Sequence, residues 1–123
     1  HLYSTYGLRS LSFMDKEYKN KYIGKLFDRD CAYHMGTTWG FLIGAFITAY
    51  CKVNDYSKES IEKANYMCKV FEDTMRDGCI NGIAEIFDGD FASTGRGCYS
   101  QAWSVAEVLR AYTQDVMPYL NKK

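Results

Sequence analysis

The sequence predicts an all-α fold, with at most a short strand pair near Ile80–Phe87, and three observations carry that reading. An apolar block from Phe41 to Val53 is long enough for about four helical turns and is apolar nearly all the way round. A stretch from Ser57 to about Arg76 repeats Ile61, Ala64, Met67, Cys68, Phe71 and Met75 at helical spacings, with Lys58, Glu62, Lys63, Lys69, Glu72 and Asp73 on the other face. A third stretch, Ser100 to about Val116, is again apolar over a wide arc. That alternation implies two layers of helices, inner and outer.

Taken in order, residues His1 to Tyr33 read as irregular. Gly7, Gly24 and the charged run Asp15–Lys21 argue for exposed loop and turns. Such a length suggests a functional loop or a region whose partners are elsewhere. Thr37 or Thr38 is the expected N-cap of the Phe41 helix, its hydroxyl accepting from a first-turn N–H. That helix is expected to be buried on every side. Asn54-Asp55-Tyr56 makes a turn, Ser57 begins the second helix and Gly78 stops it. Phe91 to Gly97 is small and flexible, with Arg96 between two glycines. The last helix carries Ala102, Trp103, Val105, Ala106, Val108, Leu109, Ala111 and Tyr112, and Pro118 follows its end. Three helices with so much apolar arc cannot bury one another completely, which predicts a partial domain of a larger helical protein, or a chain that self-associates.

A chain of 123 residues has the length of one domain or of a piece of a larger one, and the start at His1 suggests a fragment. Fifteen basic and fifteen acidic residues cancel without forming a basic stripe, so neither nucleic acid nor a membrane is expected as partner. A neutral polar partner fits better. The eleven Tyr, seven Phe and two Trp suit sugar faces as well as core packing. Five cysteines, never spaced C-x-x-C, indicate neither a disulfide framework nor a zinc site. No metal or cofactor is therefore expected, and the compartment is read as reducing and cytoplasmic. There is no signal peptide, and the run Trp39–Cys51 falls short of the roughly 20 residues that span a bilayer, so the protein is expected to be soluble.

The stretch that carries chemistry is Gly82–Asp90, Gly-Ile-Ala-Glu-Ile-Phe-Asp-Gly-Asp. Glu85 lies between Ile83, Ala84, Ile86 and Phe87, where lost hydration raises a carboxyl pKa and suits acid–base work. The residues equally allow a short edge strand with Glu85 on its wet side. Asp88 and Asp90 flank Gly89 in a turn, and the calcium-loop alternative fails because Ala92 and Ser93 occupy the next ligand and glycine places. Gly95-Arg96-Gly97-Cys98-Tyr99-Ser100 is a near miss for a dinucleotide fingerprint without its β-α-β unit. Cys98 ahead of a helix could be a thiol nucleophile, though a small buried cysteine is the preferred reading. His34, beside Tyr33 and Trp39, could hydrogen-bond a polar ligand or be a structural histidine. Arg29 and Asp30 read as loop ion-pair partners, and Trp103 as core.

Together the strings Tyr33–Trp39, Gly82–Asp90 and Gly97–Glu107, with Tyr6–Leu11 ahead of them, resemble the C-terminal part of glycogen debranching enzymes, the amylo-α-1,6-glucosidase domain. The resemblance covers nearly the whole chain in the family's order. It departs at Met35, where glutamine is usual, and at Gly40, where proline is usual. What it implies is the last part of a six-hairpin α/α toroid, with residues 1–123 as one partial domain. It also implies an inverting glycoside hydrolase that removes the α-1,6-linked glucose left at a branch stub of glycogen or limit dextrin. Glu85 falls at the general base, and Asp30, His34, Trp39, Gln101 and Trp103 fall in motifs lining the sugar pocket. The general acid would belong to the remainder of the same polypeptide, leaving this chain inactive alone. Inversion needs a water between base and anomeric carbon, hence carboxyl groups about 6.5–9.5 Å apart. A rival from another class is a non-catalytic glycan-binding or assembly module, and a third reading makes Asp88 or Asp90 the base.

Overall fold

The computed structural model describes residues 1–91 and 94–120, so Ala92 and Ser93, on which the calcium reading turned, lie outside the described residues. The elements run β1 (Tyr3–Ser4), β2 (Gly7–Arg9), α1 (Leu26–His34), β3 (Thr38–Trp39), α2 (Leu42–Val53), α3 (Lys58–Lys69), β4 (Ile86–Phe87), β5 (Gly95–Arg96) and α4 (Ala102–Ala111). A 3-10 turn, Val70–Thr74, extends α3. A π-helical turn, Tyr112–Val116, and a last α-helical turn, Met117–Leu120, extend α4.

The fold is mixed α/β, which corrects the all-α expectation and with it the toroid fragment. All five strands join one antiparallel sheet in the order β1-β2-β3-β4-β5. Leu8 pairs with Trp39, Thr38 with Phe87, and Ile86 with Arg96. The physical reason for the miss is length. Strands of two or three residues are shorter than the runs in which alternation can be read, and β2, β3 and β4 are far apart in sequence. The expected pair near Ile80–Phe87 is a single strand whose neighbours come from residues 38–39 and 95–96.

Residues 1–33 are likewise more ordered than expected, holding the β1–β2 hairpin and α1. The α1 helix has no Ser, Thr, Asp or Asn at its N-cap, Lys25, whose N–H instead donates to the Asp28 carboxylate at 3.2 Å. Its apolar residues point the wrong way for a core stripe, with Leu26 and Phe27 exposed. That combination hides a helix from both capping and periodicity rules.

The main helices stand where the apolar periodicity put them. Ser57 caps α3, its hydroxyl accepting from the Ser60 N–H at 3.3 Å. The core combines Ile43, Ile47 and Cys51 of α2 with Ile61, Ala64, Met67 and Cys68 of α3. Phe71, Ile83, Phe87, Val108, Ala111 and Val116 close it. Three local expectations fail. First, α2 is buried on one side only, because α3 and α4 cover two flanks and leave the Ala45, Ala49, Val53 line exposed. Second, neither Thr37 nor Thr38 caps α2, whose N-cap is Phe41. The Thr37 hydroxyl is committed elsewhere, donating to the Tyr33 carbonyl at 2.9 Å, and Thr38 lies buried in β3, away from the helix start, with its hydroxyl unpartnered. Pro118 also sits inside the last helical turn, just beyond the π turn where the ladder changes register.

Gly44 lets α2 and α4 approach closely, since a Cβ there would press into the Glu107 carboxylate and meet its carbonyl oxygen at 2.8 Å. Beside that contact Asp115, buried in the π turn, accepts from the Thr48 hydroxyl at 2.6 Å and the Tyr56 hydroxyl at 3.3 Å. Arg110 completes the network, reaching Asp115 at 3.4 Å and Glu107 at 2.9 Å. Among the described residues no helix is long and apolar enough to cross a membrane.

Candidate functional site

Glu85 lies immediately before β4 and is clamped on both sides by backbone. Its N–H donates to the Cys98 carbonyl at 2.8 Å, and its carbonyl accepts from the Gly40 N–H at 3.3 Å. Ile83, Ala84, Ile86 and Phe87 are all buried, while Glu85 is half-buried. The apolar flanks go into the core while the carboxylate emerges from it, but the edge-strand reading fails, since β4 is paired on both sides, by β3 and β5. The carboxylate faces an open, mainly polar cleft of about 660 Å³. Tyr22, Arg29, Asp30 and Tyr33 line the α1 side of that cleft, and Arg96, Gly97 and Cys98 the β5 side.

Each carboxylate oxygen has its own donor. The Tyr33 hydroxyl donates to Oε1 at 2.5 Å, and the Cys98 N–H donates to Oε2 at 3.1 Å. Gly97 makes room for the second contact: at φ +65° it is left-handed, and a Cβ there would lie 2.5 Å from Oε2. Tyr33 is itself fixed from behind. Its carbonyl accepts from the Thr37 hydroxyl and, at 3.1 Å, from the Trp39 indole, whose ring stands edge-on at 4.5 Å. Burial first, and then donation to the Glu85 carboxylate, push the Tyr33 phenol up to about 12. At neutral pH it therefore keeps its proton and can donate it.

Asp88 and Asp90 are used differently. Asp88 is buried, ion-paired with Arg96 at 3.0 Å, and accepts from the Tyr22 N–H at 3.0 Å. Asp90 accepts from the Tyr18 hydroxyl at 2.8 Å and the Asn20 amide at 3.0 Å. The pair thus ties the 18–22 segment across the β4–β5 turn and, through Arg96, braces the cleft wall. Neither lines the cleft.

Of the residues singled out for sugar binding, Asp30 joins Glu85 in the cleft. His34 and Trp39 pack on Tyr33 instead, the His34 ring edge-on at 5.1 Å and its side chain exposed. Gln101 precedes α4 and anchors it, its N–H donating to the Ile83 carbonyl at 2.8 Å. Trp103, read as core, is 47% exposed and stands 5.5 Å from Phe41. Cys98 is exposed, neither buried nor paired with His34, and serves the site through its backbone. Among the described residues no three His, Cys, Asp or Glu side chains gather as metal ligands.

Sequence reasoning missed the roles of Tyr33, Tyr22, Arg29 and Arg96. A signal existed for two of them: once α1 is known, Arg29 and Tyr33 are four residues apart on one face, with Asp30 beside them. The arrangement suits proton abstraction, since it presents a fixed carboxylate at the rim of an open polar cleft. A family model described as amylo-alpha-1,6-glucosidase matches residues 1–110. No curated protein and no solved structure matches the chain.

Proposed function

Because the chain belongs to the amylo-alpha-1,6-glucosidase family, matched over residues 1–110, we propose that it supplies the general base of an inverting α-1,6-glucosidase acting on branch stubs of glycogen or limit dextrin. The base is Glu85. The observation that supports this reading is the anchoring of its carboxylate by Tyr33 and Cys98 at the rim of an open polar cleft. Glu85 takes a proton from a water as that water's oxygen attacks the anomeric carbon. The bond from that carbon to the leaving oxygen breaks, and a second carboxyl group protonates the leaving oxygen. This general acid comes from the remainder of the polypeptide, so residues 1–123 are inactive alone. Asp30 binds a sugar hydroxyl in the same cleft. Exposed Leu26 and Phe27 on α1 and Leu109 on α4 support the view that further protein covers these faces.

Asp88 and Asp90 are weaker candidates for the base because neither lines the cleft, and Asp88 is ion-paired with Arg96. The test is Glu85→Gln in the full-length protein. Glucose release from a branched limit dextrin should fall by about 100- to 10,000-fold with circular dichroism unchanged. Near-normal turnover would remove Glu85 from the role.

A further inference from the structure

The short contact between α1 and the Glu85 stretch suggests a second participant in the same reaction. We infer that Tyr33 is the positioning residue of the base: its hydroxyl, donating to Glu85 Oε1 at 2.5 Å, holds the carboxylate aimed into the cleft. The inference rests on the reading of Glu85 as general base.

Geometry carries it. A glutamate side chain has three rotatable bonds, and Glu85 is only half-buried, so packing alone does not fix its terminal carboxylate. Two donors from different elements do: Tyr33 near the end of α1 and the Cys98 N–H after β5. They occupy one oxygen each. A carboxylate has about four lone-pair sites, so each oxygen keeps one free to accept from a water. Tyr33 can hold its place because the Thr37 hydroxyl and the Trp39 indole both bond its carbonyl, and Tyr22 and Trp39 pack on its ring. This assigns Trp39 a purpose behind Tyr33, where it braces the ring.

The charge balance around the carboxylate leaves Tyr33 a distinct part. The ionisable groups facing it are Arg29 and Asp30 from α1, Tyr22 from the preceding segment, Arg96 from β5 and Cys98 after it. Arg96 is spent on Asp88 at 3.0 Å, and no direct bond joins Arg29 to Glu85 among the described contacts. The phenol is thus the one side-chain donor to the carboxylate among the described contacts. Deleting its hydroxyl leaves the carboxylate held through Oε2 alone.

The experiment compares Tyr33→Phe with Glu85→Gln in the full-length protein, by steady-state glucose release from branched limit dextrin. Tyr33→Phe should lower kcat by up to about 100-fold with little change in KM. Should Tyr33→Phe fail to fold, a 3-fluorotyrosine at position 33 keeps the shape and sharpens the donor, and kcat should then change while KM holds. A change in KM as large as the change in kcat in either variant means a merely structural tyrosine and overturns the inference. Should Glu85→Gln keep its turnover, the reading of the base falls first. If Glu85→Gln is dead while Tyr33→Phe is normal, only the positioning role falls.

Discussion

Gly97 sets how closely the chain can pass the Glu85 carboxylate. Its φ of +65° strains any L-residue by about 1–2 kcal/mol, and a Cβ would sit 2.5 Å from Oε2. Carboxylate and Cβ cannot both stay, and the exposed side of the cleft is where the carboxylate can go. Gly97→Ala should therefore lower stability by about 1–2 kcal/mol in urea unfolding and, since a misplacement of about 1 Å can cost 100-fold, turnover by a comparable factor. Loss of stability with full turnover would show that the carboxylate re-aims without its amide donor. At this scale the four apolar residues around Glu85 were legible, and all four are buried. Tyr33 was not legible. Its hydroxyl matters only because α1 brings it across 52 residues of sequence to Oε1, and the conspicuous neighbour, His34, turns outward.

Between elements, α2 packs closely on α4 at Gly44. Gly44→Ala tests it, because two effects compete with opposite sign. Alanine is the better helix former by about 1 kcal/mol, which favours the variant. Against that, its Cβ meets the Glu107 carbonyl oxygen at 2.8 Å and the Glu107 carboxylate that pairs with Arg110. A backbone atom cannot step aside as a side chain does, so overpacking of about 1–3 kcal/mol should win. Urea unfolding is expected to show net destabilisation, and a gain in stability would mean that α4 slides without loss. The helices themselves were readable from periodicity: of the Ile61, Ala64, Met67, Cys68, Phe71, Met75 stripe all but Met75 are buried, and Met75 packs half-buried against the core. The sheet was not. Two-residue strands such as Thr38–Trp39 carry no alternation, and their pairing is fixed by tertiary contact after the helices have packed.

Across the molecule, the thiols divide by depth, and their reactivity measures how the fold opens. Cys51 of α2 and Cys68 of α3 lie in the shared core, whereas Cys98 is exposed and Cys31 and Cys79 are half-buried. Burial raises both core thiols, Cys68 to about 12. The thiolate is the reactive form, so at pH 8 a thiol near 12 presents almost none of it even when a reagent reaches it. Access and ionisation thus act in the same direction. In the native protein a disulfide reagent should modify Cys98 first and Cys31 and Cys79 more slowly. Cys51 and Cys68 should react only in the denaturant range where circular dichroism is lost, and both at one rate. Their joint appearance at that midpoint would mean that α2 and α3 unfold as one cooperative unit with the segment that carries Glu85, since Ile83 and Phe87 share the same core. Labelling of Cys68 well below that midpoint would instead mark α3 as a separately opening element, and the Glu85 backbone clamp could then outlast it.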